Sequence, residues 1–236
     1  MSLPLAASAD DPVHWTLIEA RGEGARTFLQ GQLSCDVLSL SLGQCVHGLL
    51  LTPSGEVITS LRCDFHPEGV DIVVRSEVVN QTLAALRRFL LRTKCELREA
   101  GEVAGDYATI GRQVQLGEPG PSEFAKGVAA HTFGQGFVDR HVSFTKGCFT
   151  GQELVGRLDV RGGNVPFHLA RVTGDSIDHM DVAVRSAGPS GERGLQGLTT
   201  VYDRDGPRGL ALVHRTLLGD EQRGTVMDVT IELLHD

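Results

Sequence analysis

The chain has 236 residues, 41% apolar and 22% charged, the composition of a globular protein long enough for several small cores. Its formal charge of −8 and lack of any lysine or arginine run exclude a broad nucleic-acid surface or an anionic-membrane surface. A local basic pocket for an anionic small molecule stays open, and the longest apolar stretch, around Val46 to Leu51, is too short to cross a bilayer.

In chain order, residues 1–12 have no basic start followed by a long apolar segment. They read as a flexible lead-in and not a signal peptide, so the protein is expected to be cytoplasmic. Trp15 to Glu19 alternates and predicts a first strand, while Ala25, Phe28, Leu29 and Gln32 have helical spacing over 24–33. Val46 to Leu51, the turn Pro53-Ser54-Gly55 and the alternating run Glu56 to Phe65 form a hairpin signature. A second turn, His66 to Gly69, leads into Val70 to Val74, which makes a three-stranded antiparallel meander. Val78, Leu83, Leu86, Phe89 and Leu90 predict an amphipathic helix over 77–91, followed by a strand over 94–98. Residues 13–100 are therefore expected to form an α+β N-terminal domain.

A middle segment, 101–166, is less regular. Short strands are expected at 107–110 and 114–116, then a break at Gly117 to Pro121. From Phe167 the pattern changes to short strands at 168–173, 195–201, 209–213 and 225–234. Turns are expected at 188–191, 203–207 and 219–220. This predicts an all-β C-terminal domain over 167–236, a small antiparallel barrel or sandwich.

The densest chemistry lies in Lys146-Gly147-Cys148-Phe149-Thr150-Gly151-Gln152-Glu153. A cation two residues before a cysteine favours the thiolate, so Cys148 is a candidate redox or one-carbon thiol activated by Lys146. The alternative is a buried structural cysteine at a domain junction. Gln152 and Glu153 offer an amide and a carboxylate suited to a polar heterocycle such as a pterin, or else they open a helix. Arg157 stands four residues after Glu153 and is placed to pair with it, and Asp159 and Arg161 either line an opening or form an ion pair. Cys35, Cys45, Cys63 and Cys95 have no C-x-x-C spacing and read as small buried hydrophobes, so no metal or iron–sulfur cluster is expected on this chain alone. The histidines are scattered without a metal-ligand spacing.

KGCFTGQE resembles the KGC-[FY]-x-GQE signature of YgfZ-type folate-binding proteins, relatives of the glycine-cleavage T-protein (aminomethyltransferase). Phe28 to Leu33 (FLQGQL) is similar to the family's entry helix, and Leu50 to Gly55 (LLTPSG) to its hairpin. Gly197 to Thr200 and Gly209 to Val213 are similar to its C-terminal pattern. The resemblance implies an α+β, T-protein/YgfZ-like ring of small domains around a central opening, with an all-β C-terminal barrel. It implies tetrahydrofolate, or a one-carbon derivative, as cofactor, held by Lys146, Gln152, Glu153, Arg157 and Gln32. The implied function is an accessory role in iron–sulfur cluster assembly or repair, with iron–sulfur client or assembly proteins as partners. The alternative is a folate-dependent one-carbon transferase of aminomethyl type, with Glu153 or Asp159 as its base. The chain departs from true aminomethyltransferases after Gly55, where Thr59 and Ser60 occupy the family's acidic positions. The stretch 117–145 is also short for the family, which implies a less enclosed opening.

Overall fold

The computed structural model describes residues 7–176, 198–203, 206–218, 223–226 and 229–234. The chain enters through a two-residue strand, Ala7–Ser8 (β1), and then builds a five-stranded antiparallel sheet. Its strands are Trp15–Arg21 (β2), Cys45–Leu51 (β3), Val57–His66 (β4), Gly69–Arg75 (β5) and Glu96–Val103 (β6), in the order β3-β4-β5-β2-β6. The predicted meander is β3-β4-β5, with Leu49 opposite Ser60 and Cys63 opposite Ile72. Alternation along β4 sends Val57, Thr59, Leu61 and Cys63 inward and leaves Ile58, Ser60, Arg62 and Asp64 half-buried.

The helices Ala25–Gln32 (α1) and Val79–Arg87 (α2) help to cover this sheet. Ala25, Phe28 and Leu29 from α1, with Leu83 and Leu86 from α2, join Ile18, Leu61 and Ile72 in one core. The helix expected over 77–91 is shorter than its pattern: Ser76–Val78 is a 3₁₀ turn and α2 ends at Arg87. The chain reverses towards β6 through Arg92 at φ 61°, leaving Phe89 and Leu91 exposed.

The strands expected at 107–110 and 114–116 are replaced by a helix, Ile110–Leu116 (α3). Thr109 caps it, its hydroxyl accepting from the Arg112 N–H at 3.2 Å, and Gly117 closes it at φ 74°. Such short apolar runs suit either period, and local capping decides between them. Pro121–Phe124 (α4), a 3₁₀ turn at Ala130–Phe133 and Gln135–His141 (α5) complete a helical layer. Phe124, Phe133 and Phe137 pack edge to face or tilted there, with centroids 5.1–6.5 Å apart. They share a core with Leu49 and Leu51 of the first sheet and Leu169, Leu210 and Leu212 of the second.

The second sheet contains Phe167–Thr173 (β7), Leu198–Asp203 (β8), Gly206–His214 (β9), Arg223–Val226 (β10) and Val229–Leu233 (β11), in the order β1-β8-β9-β7-β11-β10. The single strand expected over 225–234 is a hairpin of β10 and β11. Among the described residues this is an open sheet with β1 and β10 at its edges, and no closed barrel is formed. Residues 7–12 are not a loose lead-in. Ala7 pairs in parallel with Val201, and Pro12 bridges to Thr109. Residues 1–6 and the turns expected at 188–191 and 219–220 lie outside the described residues, as does the centre of the 203–207 turn. Among the described residues no helix is long and apolar enough to cross a membrane.

Candidate functional site at the hairpin and the motif loop

After α5 the chain is pinned to the loop that follows α1 by the Ser143 N–H on the Ser34 carbonyl at 2.9 Å, then turns into the motif. The Lys146 ammonium donates to the Gln30 carbonyl and, at 2.6 Å, to that of Leu33. These oxygens belong to the end of α1, where helix carbonyls lack intrahelical partners and a cation is favoured by the dipole. Nζ also sits 4.8 Å from the centre of the buried Phe149 ring. Burial lowers the pKa of Lys146, while Cys35, Asp36 and Cys148 act in the opposite direction. The Thr150 N–H binds the Gly31 carbonyl at 3.0 Å and its hydroxyl meets the Gln32 amide oxygen at 3.1 Å. Gln32 therefore faces the motif. Gln30 faces away, holding the Val37 N–H at 2.8 Å and Asp36 at 2.9 Å.

Gly151 turns the chain at φ 81° into a helix, Gln152–Val160 (α6). A Cβ there would lie 2.6 Å from the Thr52 carbonyl oxygen and 3.1 Å from Gly55 Cα, so the motif rests directly on the β3–β4 turn. FLQGQL, LLTPSG and KGCFTGQE, far apart in sequence, thus meet at one junction. Phe149 and Val155 anchor the junction in the interlayer core, and the Cys148 side is exposed. Gln152 is half-buried at the start of α6, whereas Glu153 and Arg157 are exposed and make no ion pair with each other. Asp159 accepts from the Gln135 amide at 3.3 Å and lies 3.9 Å from His131, away from the motif loop. Of the cysteines expected to be buried, Cys35 and Cys63 are, Cys95 is half-buried, and Cys45 is exposed at the start of β3.

A polar cleft of about 170 Å³ opens along the same β3–β4 hairpin, further from its turn. Ser60 and His47 reach it from the two strands, and Trp15 and Tyr107, edge to face at 5.0 Å, form an aromatic wall. Asp106 accepts from His47 Nε2 at 3.1 Å and from Arg62 at 2.7 Å. Burial works against its charge, but these two donors outweigh that and hold its pKa below the ordinary range. Glu118 behaves oppositely: burial raises its pKa, although Arg140 donates to it at 3.0 Å. Burial also lowers His141 to about 4. Its Nδ1 donates to the Phe137 carbonyl at 2.8 Å, which leaves Nε2 as an acceptor.

None of the residues chosen from the motif lines this cleft; Ser60, at one of the hairpin's acidic positions, does. The sequence reading missed His47, Asp106, Glu118, Arg140 and His141. Apart from the adjacent Arg140 and His141 they come from separate segments, and no motif spacing links those segments.

An open two-sheet architecture around a helical layer, with a glycine-turned motif seated on a hairpin, places the chain in a known structural class. It superposes on the crystal structure of glycine cleavage system aminomethyltransferase T from Bartonella henselae with a TM-score of 0.59. That match covers 96% of this chain and 87% of that one at 12% identity, a likeness of fold. In sequence the chain is similar to the tRNA-modifying protein YgfZ of Photobacterium profundum, 29% identical over 89 residues, and of Hamiltonella defensa, 28% over 99. These matches take in 38% and 40% of this chain but span only 27% and 30% of the relatives' lengths. An uncharacterized Haemophilus influenzae protein is 24% identical over 190 residues, 64% of this chain and 68% of its own. No family model matches the chain. The expected likeness is thus borne out by YgfZ proteins over part of the chain in sequence and by the T-protein in fold.

Proposed function

We propose that the protein binds tetrahydrofolate, or a one-carbon derivative of it, and supports iron–sulfur cluster assembly or repair in other proteins. The observation that carries this reading is the convergence of the three motif segments on one hairpin whose strands also line the polar cleft. At about 170 Å³ the cleft is smaller than the roughly 300–1,000 Å³ of a whole small-molecule site, so it takes the flat, hydrogen-bonding heterocycle end of the folate and leaves the rest outside. It has an aromatic wall, the Ser60 hydroxyl, acceptors at Asp106, Glu118 and His141 Nε2, and a cation at Arg140. In this reading the cleft is the central opening of the family's ring. Gln32 and Lys146 set the motif in place, Gln152, Glu153 and Arg157 form its outer rim, and the exposed Cys148 is the group offered to a client. The relatives' name, tRNA-modifying protein, supports a client that takes part in tRNA modification.

The test is calorimetric titration of the full chain with tetrahydrofolate. One site is expected, and no heat at millimolar ligand would rule the reading out. Cys148→Ser should retain the ligand but fail to restore an iron–sulfur-dependent tRNA modification in cells that lack the protein.

The transferase reading draws on a different observation, two cleft carboxyls whose environments push their pKa values apart, Asp106 down and Glu118 up. Glu153 and Asp159, the bases expected from sequence, lie outside the cleft lining. Turnover of 5,10-methylenetetrahydrofolate with amine or thiol acceptors distinguishes the two readings, since a binding protein gives a flat baseline.

A further inference from the structure

Helix α3 borders two different spaces. Leu116 at its end lines the polar cleft, whereas Arg112, Val114 and Gln115 line a separate cavity of about 670 Å³. The floor of this cavity is the second sheet, where Arg171 stands opposite Glu232 and Thr173 opposite Arg208. Its roof is the N-terminal strap at Ala9 and Asp10, tied to α3 by the Gly111 N–H on the Ala9 carbonyl at 2.9 Å.

One residue gathers two of the arginines. Gln115 accepts from Arg112 Nη1 on its side-chain oxygen at 2.7 Å and from Arg171 Nη2 on its backbone carbonyl at 3.1 Å. Arg21, Arg62, Arg75, Arg98 and Arg140 each meet a carboxylate. Arg112 and Arg171 make no ion pair among the described residues, although the chain carries a charge of −8. Two guanidinium groups anchored on one residue and lining one cavity raise its local positive potential, which an anion bound there relieves. Their remaining N–H groups present the paired donors that phosphate and carboxylate oxygens fit.

We propose that Arg112 and Arg171 form the anion-binding end of a second small-molecule site, one that takes a phosphate- or carboxylate-bearing metabolite. The cavity falls within the roughly 300–1,000 Å³ of small-molecule sites. The Asp10 carboxylate at its roof favours a ligand that also carries hydroxyl or amine donors beside its anion.

The experiment titrates the full chain calorimetrically with inorganic pyrophosphate and, separately, with citrate at low salt. One site is expected for at least one probe, and the tighter probe identifies the anion as phosphate or carboxylate. Arg112→Gln and Arg171→Gln should each weaken that binding about tenfold, and Arg171→Lys should lose less because it keeps the charge. Both side chains reach solvent, so the variants should melt as the parent does and bind tetrahydrofolate as the parent does. The inference is overturned if neither probe binds at about 10 mM, or if both glutamine variants bind like the parent chain.

Discussion

The Lys146 ammonium lies 2.6 Å from the Leu33 carbonyl oxygen, so the motif's cation acts as a cap for the end of α1. A charged donor on an otherwise unpaired carbonyl contributes about 1.5–3 kcal/mol. Lys146→Met should therefore lower the unfolding free energy in urea by roughly 2 kcal/mol. A variant that keeps full stability but loses folate affinity would instead assign Lys146 to the ligand.

The two inner glycines of the motif should respond differently to the same methyl group. At Gly151, φ is 81° and a Cβ would strike the Thr52 carbonyl at 2.6 Å. Gly151→Ala should cost roughly 2–4 kcal/mol and loosen α6 from the hairpin turn. At Gly147 a Cβ meets nothing within 4 Å, so Gly147→Ala should stay within about 0.5 kcal/mol. Equal melting temperatures for the two variants would contradict the seating of the motif on the hairpin.

The hairpin was legible in sequence because its signals are local: Pro53-Ser54-Gly55 makes the turn and alternation makes the strands. Helix α3 was not, since Ile110 and Val114 suit either period and the Thr109 cap decided the outcome. The motif loop was visible as chemistry, but its geometry was not. Amphipathic position gave no way to tell Gln30 from Gln32, whose roles follow from Asp36 and Thr150 as contact partners. The cleft was invisible for a related reason. His47, Asp106, Glu118 and His141 are brought together by β3, the loop after β6, the loop after α3 and the end of α5, a convergence set by topology.

Asp106 offers a direct probe of the cleft. It takes donors from His47 and Arg62, while Arg62 also holds Asp64 at 3.0 Å and so is not left unpaired without it. Asp106→Asn keeps the shape but removes the charge that polarises a bound heterocycle. Tetrahydrofolate affinity should fall about tenfold, equivalent to roughly 1.4 kcal/mol. The same affinity in variant and parent, with intact folding, would move the ligand out of this cleft.

His141 should make the fold acid-sensitive. Its ring stacks on Phe137 at 4.1 Å and is 5% exposed. Burial is the main force lowering its pKa from 6.5 to about 4; His47 and Arg140 push the same way, and Asp106 and the Phe137 carbonyl oppose them. As pH falls through 6.5 the unfolded chain takes up a proton at this position, while the folded chain does not until about 4. The unfolded state binds more protons across that window, so stability declines with acidification there and recovers as pH rises. The difference amounts to about 3 kcal/mol between neutral pH and pH 4. His141→Gln, which cannot titrate, should flatten the stability profile by that amount relative to the parent chain. Because the carboxylates titrate in both proteins, their contribution cancels in the comparison, and parallel profiles would show that the His141 pKa is the same in the folded and the unfolded chain.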